Sequence, residues 1–133
     1  MYSQKHLDLI DVKKILDAAV AYAGSKDWAV SVAVVDSGGY LLGSLRMNGA
    51  SALSSGISIE KAKLAAVGQK KTKVFEDMIN QGRIAFLSVP GNVFLEGGIN
   101  IIADGMTIGA VGVSGVKSEQ DAEIAQVGID SLN

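Results

Sequence analysis

Arg46, Lys61 and Glu96 are the side chains of this sequence whose types and settings best suit ligand chemistry. Arg46 closes an apolar run just before Asn48-Gly49, a place from which a guanidinium reaches from a strand end towards a pocket. Its planar fork would clamp a carboxylate or phosphate with paired donors. An ion pair with Asp36 or Glu60, or a contact between subunits, would use the same group structurally. Lys61 opens a basic stretch that continues through Lys63, Lys70, Lys71 and Lys73. Near Arg46 its ammonium would complete an anion pocket, and as a free amine it could form a Schiff base. Lys70, Lys71 and Lys73 read as a solvated helix face. Glu96-Gly97-Gly98 presents a carboxylate and free backbone N–H groups at the start of a strand, which serves a ligand or a plain turn. His6 is the only histidine, so one chain holds neither a catalytic triad nor a histidine metal cluster. A single imidazole can still be a metal ligand, including at a subunit interface.

Other chemistries are excluded by what is missing. Cysteine is absent, which removes disulfides, thiol nucleophiles and iron–sulfur ligation. Ser54, Ser58, Thr72 and Ser114 have no evident histidine base. Gly109, Gly112 and Gly115 recur every three residues inside a strand-like run, which is not a dinucleotide fingerprint. Close packing of a helix or a ligand on that strand explains them better. The formal charge of −2, with no aromatic interleaving among the lysines, argues against a nucleic-acid partner. No apolar run approaches the ~18 residues of a membrane span, and the start MYSQKHLDL lacks a signal-like apolar region, so a cytoplasmic location is expected.

The elements that must position these groups are legible from periodicity. Val12, Ile15, Leu16, Ala19 and Ala23 mark a one-sided helix with Asp8 as its cap and Gly24 as its stop. Ala29–Val35 reads as a strand covered on both faces, followed by a tight turn at Asp36-Ser37-Gly38-Gly39 and a return strand from Tyr40 to Met47. Ser51 to about Lys73 reads as a helix, capped by Ser54 or Ser58, with Ile59, Ala62, Ala66 and Val67 facing inward. A shorter helix spans Thr72–Gln81, and Ile84–Val89 reads as a short strand. Asp104-Gly105 joins strands Gly98–Ala103 and Met106–Ser114, and Ser118 with Asp121 would form a capping box for a final helix. Two hairpins with covering helices make an α/β sandwich around an antiparallel sheet, with residues 1–133 as one domain. The hydrophobic fraction of 48% and mean hydropathy of +0.30 are high for a chain this small, so a homo-oligomer is expected.

Several stretches occur in an order similar to the GlcG/HbpS-like family of haem-degrading domains, which also includes the C-terminal domain of PduO-type proteins. These are Ala33-Val34-Val35-Asp36-Ser37-Gly38-Gly39, Arg46-Met47-Asn48-Gly49-Ala50, Lys61-Ala62, Thr72, Glu96-Gly97-Gly98, Ile108–Gly115 and Asp121. The resemblance covers nearly the whole chain. It implies a profilin-like α/β/α sandwich with a five-stranded antiparallel sheet, assembled into homo-oligomers. Haem or a related tetrapyrrole is the first ligand it implies, bound near Arg46, Asn48, Lys61, Glu96, Gly97 and Gly98, with His6 as the candidate axial ligand. Asn48 stands where the family motif has Asp, and Ile99-Asn100 replaces a Pro-containing segment after the glycines. The alternative is an enzyme, or enzyme accessory, acting on a small carboxylate or carbonyl metabolite of diol or glycolate metabolism.

Overall fold

A computed structural model describes residues 1–133. The valine-rich run forms strand β1, Ser31–Asp36, which turns through Gly39 into β2, Leu41–Arg46. The Asp36 side chain organises this turn, its Oδ1 accepting from the N–H of Gly38 at 2.9 Å and of Tyr40 at 3.0 Å. Asp36→Ala is therefore expected to lower stability by about 1–2 kcal/mol, measured by urea unfolding, with Asp36→Asn retaining most of it. Strands β3, Gly98–Ala103, and β4, Met106–Ser114, form the second hairpin. Asp104 and Gly105 both take positive φ (52° and 75°), as a two-residue turn between twisted strands requires.

All pairings are antiparallel and the strand order is β2-β1-β4-β3, so the two hairpins meet through the first strand of one, β1, and the second strand of the other, β4. Helices α1, Leu9–Ser25, and α4, Ser118–Asp130, cover one face. There Ile15, Ala19 and Ile124 pack on Val32, Val34, Val111 and Val113. Helix α2, Ala52–Gly68, covers the other face, where Ala62, Ala65 and Ala66 meet Ala33, Val35 and Ala110. The α2 core is built from small residues, so helix and sheet backbones come very close. A Cβ at Gly112 would collide with the Ser58 carbonyl oxygen and the Ala62 amide nitrogen. At this strand position, close helix packing is thus the reason for glycine.

The expected α/β sandwich and antiparallel sheet are present, but the sheet has four strands, not five. The missing strand is Ile84–Val89, of which Ile84–Ser88 forms a 3-10 helix instead. Ile84 and Leu87, three residues apart, share its exposed side, while Phe86 turns into a cluster with Phe75 and Phe94. A period of three fits that arrangement and alternation does not. Helix α3, Thr72–Asn80, precedes it, separated from α2 by a left-handed Gln69 (φ 57°).

The caps also differ in part from expectation. Asp8 caps α1 as predicted, exchanging hydrogen bonds with Asp11. Ser51, not Ser54 or Ser58, caps α2; Ser54 and Ser58 are buried against the sheet, with the Ser54 hydroxyl 2.8 Å from that of Ser31. Ser118 opens α4 but does not cap it. The Lys117 N–H donates to Gln120 there, and Asp121 is committed elsewhere. No helix is long and apolar enough to cross a membrane.

Candidate functional site

The end of the sheet where β3 begins is shaped by Thr72. Once Gln69 has turned the chain out of α2, Thr72 is fully buried and its Oγ1 accepts from the Gly98 N–H at 2.9 Å. This pins the start of α3 to the start of β3. Gly98 has no room for a side chain, since a Cβ would strike the Lys61 carbonyl. The flanking Lys71 and Lys73 consequently line a cavity of about 220 Å³ together with Glu96, Gly97 and Gly98, closed on its far side by Glu123 and Gln126 of α4. Its charges are braced from outside. Lys73 pairs with Asp77 at 2.8 Å, a hydrogen bond that raises the lysine's pKa, and Glu123 accepts from the Tyr22 hydroxyl at 2.6 Å.

Lys61 lies directly beneath this cavity. Its ammonium donates to the Val113 carbonyl at 3.0 Å and to Asp121 Oδ2 at 3.1 Å, and both charged side chains are almost completely buried. Asp121 Oδ1 accepts from the Val116 N–H at 3.1 Å. Lys61 belongs to α2 and Asp121 to α4, so the pair joins the layers on opposite faces of the sheet. It does so through the notch at Gly97: with φ 134°, a Cβ there would lie 2.7 Å from Lys61 Nζ and 2.8 Å from the Val113 oxygen. Burial raises the pKa of Asp121, and this outweighs the lowering by the Lys61 charge and the Val116 N–H.

The six pocket residues expected from the sequence do not converge on one point. Lys61, Glu96, Gly97 and Gly98 come together at the start of β3. Arg46 is exposed at the end of edge strand β2, paired in register with Ser31, which in turn faces Ser114 on β4. Arg46 thus shares this end of the sheet but lies three strands from Gly98, about 14 Å at 4.8 Å per strand. It forms no ion pair with Asp36 or Glu60. Asn48 is exposed in a separate shallow groove beside Trp28 and Met47. His6 is exposed near the opposite end of the sheet, where Lys5 pairs with Asp104 and Gln4 donates to the Thr107 carbonyl. The length of β3, about 20 Å at 3.4 Å per residue, separates it from Gly97. Lys71 and Lys73 line the cavity although their sequence pattern reads as solvated surface. The signal for them is the buried Thr72 between them.

Residues 7–130, which carry every element from α1 to α4, match the family described as haem degrading protein HbpS-like. The chain belongs to the HbpS-like family. Among relatives, it is 46% identical to Protein GlcG of Escherichia coli K12 over 100 residues, 75% of each chain. The HbpS-like backbone superimposes on the crystal structure of a Streptomyces reticuli HbpS double mutant with a TM-score of 0.92 at 32% identity, covering all of this chain and 91% of that one. It also superimposes on the crystal structure of the PduOC:heme complex with a TM-score of 0.87 at 30% identity, covering 97% and 96% of the two chains. In this HbpS-like chain no three His, Cys, Asp or Glu side chains gather into a site able to hold a metal ion.

Proposed function

We propose that this chain binds haem or a related tetrapyrrole as a homo-oligomer, with the anionic edge of the ligand at Lys71, Lys73 and the Glu96-Gly97-Gly98 turn. The observation that carries this is the whole-chain likeness to a domain crystallised with haem, combined with a lysine-lined cavity at the start of β3. Lys71 and Lys73 line this cavity beside the bare backbone of Gly97 and Gly98, which would receive a propionate edge on the side away from the lining carboxylates of Glu96 and Glu123. At about 220 Å³ it is smaller than the ~300–1,000 Å³ usual for complete small-molecule sites, so most of a macrocycle would lie outside it. A second subunit would cover the rest.

Subunit assembly is also what an axial role for His6 requires, because its own cavity is a strand's length away. In this proposal His6 of one subunit serves the iron held by another, and Arg46 and Asn48 border the joint between them. When bound, the group supplies a redox-active iron. The chain supplies cationic anchoring and exclusion of water.

Titration with haemin is expected to give a saturable Soret band and a higher melting temperature. In His6→Ala the band should shift or be lost, and Lys71→Glu/Lys73→Glu should weaken binding about tenfold or more. A band unchanged in His6→Ala removes that histidine from the coordination. Absence of any saturable band overturns the proposal.

The cavity's small size favours one second reading, a site for a small carboxylate or carbonyl metabolite held by Lys71 and Lys73. In that reading Lys61 positions the floor and does not form a Schiff base, since its ammonium is already committed to Asp121 and Val113. Protection of the protein by small carboxylates in the absence of haemin binding would favour it.

A further inference from the structure

The largest cavity in the molecule, about 430 Å³, runs along β3 from Asn100 to the β3–β4 turn and falls within the range of small-molecule sites. It opens between the end of α2, the β3–β4 hairpin and the N-terminal segment. No Lys, Arg, His, Asp or Glu lines it. Its side-chain polar groups are instead the amides of Gln4, Gln69 and Asn100 and the hydroxyls of Thr107 and Tyr2.

The internal hydrogen bonds leave a defined set of groups for a ligand. Gln4 Nε2 donates to the Thr107 carbonyl at 3.1 Å, which leaves Gln4 Oε1 as an acceptor. Asn100 Nδ2 donates to Thr107 Oγ1 at 3.1 Å, leaving the Asn100 carbonyl as an acceptor and turning the Thr107 hydroxyl into a donor. Gln69, held in left-handed backbone at the end of α2, adds a complete amide. The remaining walls are apolar or aromatic: Ile102, which is 64% exposed although it is a strand residue, Met106, and the ring of Tyr2, which is 83% exposed at the rim.

We propose that this second cavity binds a neutral, planar heterocycle with donors and acceptors alternating along its edge, namely a nucleobase or its nucleoside. Side-chain amides pair with such edges through two hydrogen bonds at once, and the tyrosine ring and aliphatic side chains suit the flat faces. A polyol would satisfy the amides but leave Ile102, Met106 and Tyr2 without apolar partners. A nucleotide would bring phosphate charge to a cavity with no cation in its lining. The site shares no lining residue with the cavity at Glu96–Gly98, although its Asn100 adjoins that cavity's Ile99 and its Gln69 lies two residues from Lys71.

Calorimetric titration with adenosine, guanosine, cytidine and uridine, with ribose as the control, tests the proposal. At least one nucleoside is expected to bind saturably, and ribose is not. Gln69→Ala and Asn100→Ala should each weaken that binding about tenfold while leaving haemin binding unchanged. Gln69 is exposed and Asn100 half-buried, so both variants should fold, which their melting curves will show. The proposal is overturned if no nucleoside saturates up to millimolar concentration, or if ribose binds as well as the nucleosides. It is equally overturned if both variants bind like the parent, or if either loses haemin binding along with the nucleoside.

Discussion

Gly112→Ala is expected to cost about 4 kcal/mol or more, enough to leave little folded protein in a domain of ordinary stability. The added methyl has no rotamer by which to escape, and what it meets is the backbone of α2 at Ser58 and Ala62, not the end of a flexible side chain. Relief requires α2 to lift from the sheet. That would open the packing of Ala62, Ala65 and Ala66 on Ala33, Val35 and Ala110, and stretch the Ser31–Ser54 hydrogen bond. Gly56→Ala is the matched control, because a Cβ there on α2 meets nothing within 4 Å. Replacing a helical glycine by alanine should then stabilise by about 0.5–1 kcal/mol. Urea unfolding of the two variants should therefore shift in opposite directions. Similar midpoints for both would show that α2 and β4 are not in backbone contact.

Breaking the Lys61–Asp121 pair is the second large effect expected. Lys61→Met leaves a buried carboxylate with only the Val116 N–H, a loss of about 3–5 kcal/mol. For a domain of this size that is a fall in melting temperature of roughly 10–20 °C. Lys61→Met combined with Asp121→Leu should recover much of the loss, since an apolar pair carries no desolvation cost.

The pH dependence carries a definite sign. The folded state raises the pKa of Asp121, so it holds this proton more tightly than the unfolded chain does. The carboxyl's contribution to stability is thus fully present below its unfolded pKa and is lost as pH rises through the folded value. Removing the Lys61 charge takes away an influence that lowers this pKa and so raises it further. The melting-temperature gap between parent and Lys61→Met should accordingly narrow on acidification from neutral pH into the carboxylate range. A constant gap would mean that Asp121 is solvated in the variant.

The two hairpins were readable because their signals are local. Asp104-Gly105 and Asp36-Ser37-Gly38-Gly39 specify turns within a few residues, and a continuous valine-rich run marks a strand covered on both faces. The buried face of α2 was not readable in the same way. It consists of Ser54, Ser58, Lys61, Ala62, Leu64, Ala65 and Ala66, while Val67 is exposed, because proximity to Gly112 selects small residues over hydrophobic ones. Asp121 looked like half of a capping box since a carboxylate near a helix start usually is. Its actual partner, Lys61, is brought to it only by the stacking of layers. Ile84–Ser88 is short and apolar, and short apolar runs do not distinguish a strand from a helical turn. At the site, the glycines and Glu96 were visible as a turn, whereas Lys71 and Lys73 needed the long-range hydrogen bond between Thr72 and Gly98 to reveal their role.

The strand order β2-β1-β4-β3 also has a kinetic meaning. Each hairpin closes on neighbouring residues and can form early and by itself. The central β1–β4 ladder instead joins residues separated by α2, α3 and the 3-10 helix, so its loop-closure entropy must be met before the core rewards it. Docking of the two hairpins is therefore the step expected to limit the folding rate. Until it happens, the inner edges of β1 and β4 are both unpaired and apolar, which makes that interval the one in which chains are most prone to aggregate with one another.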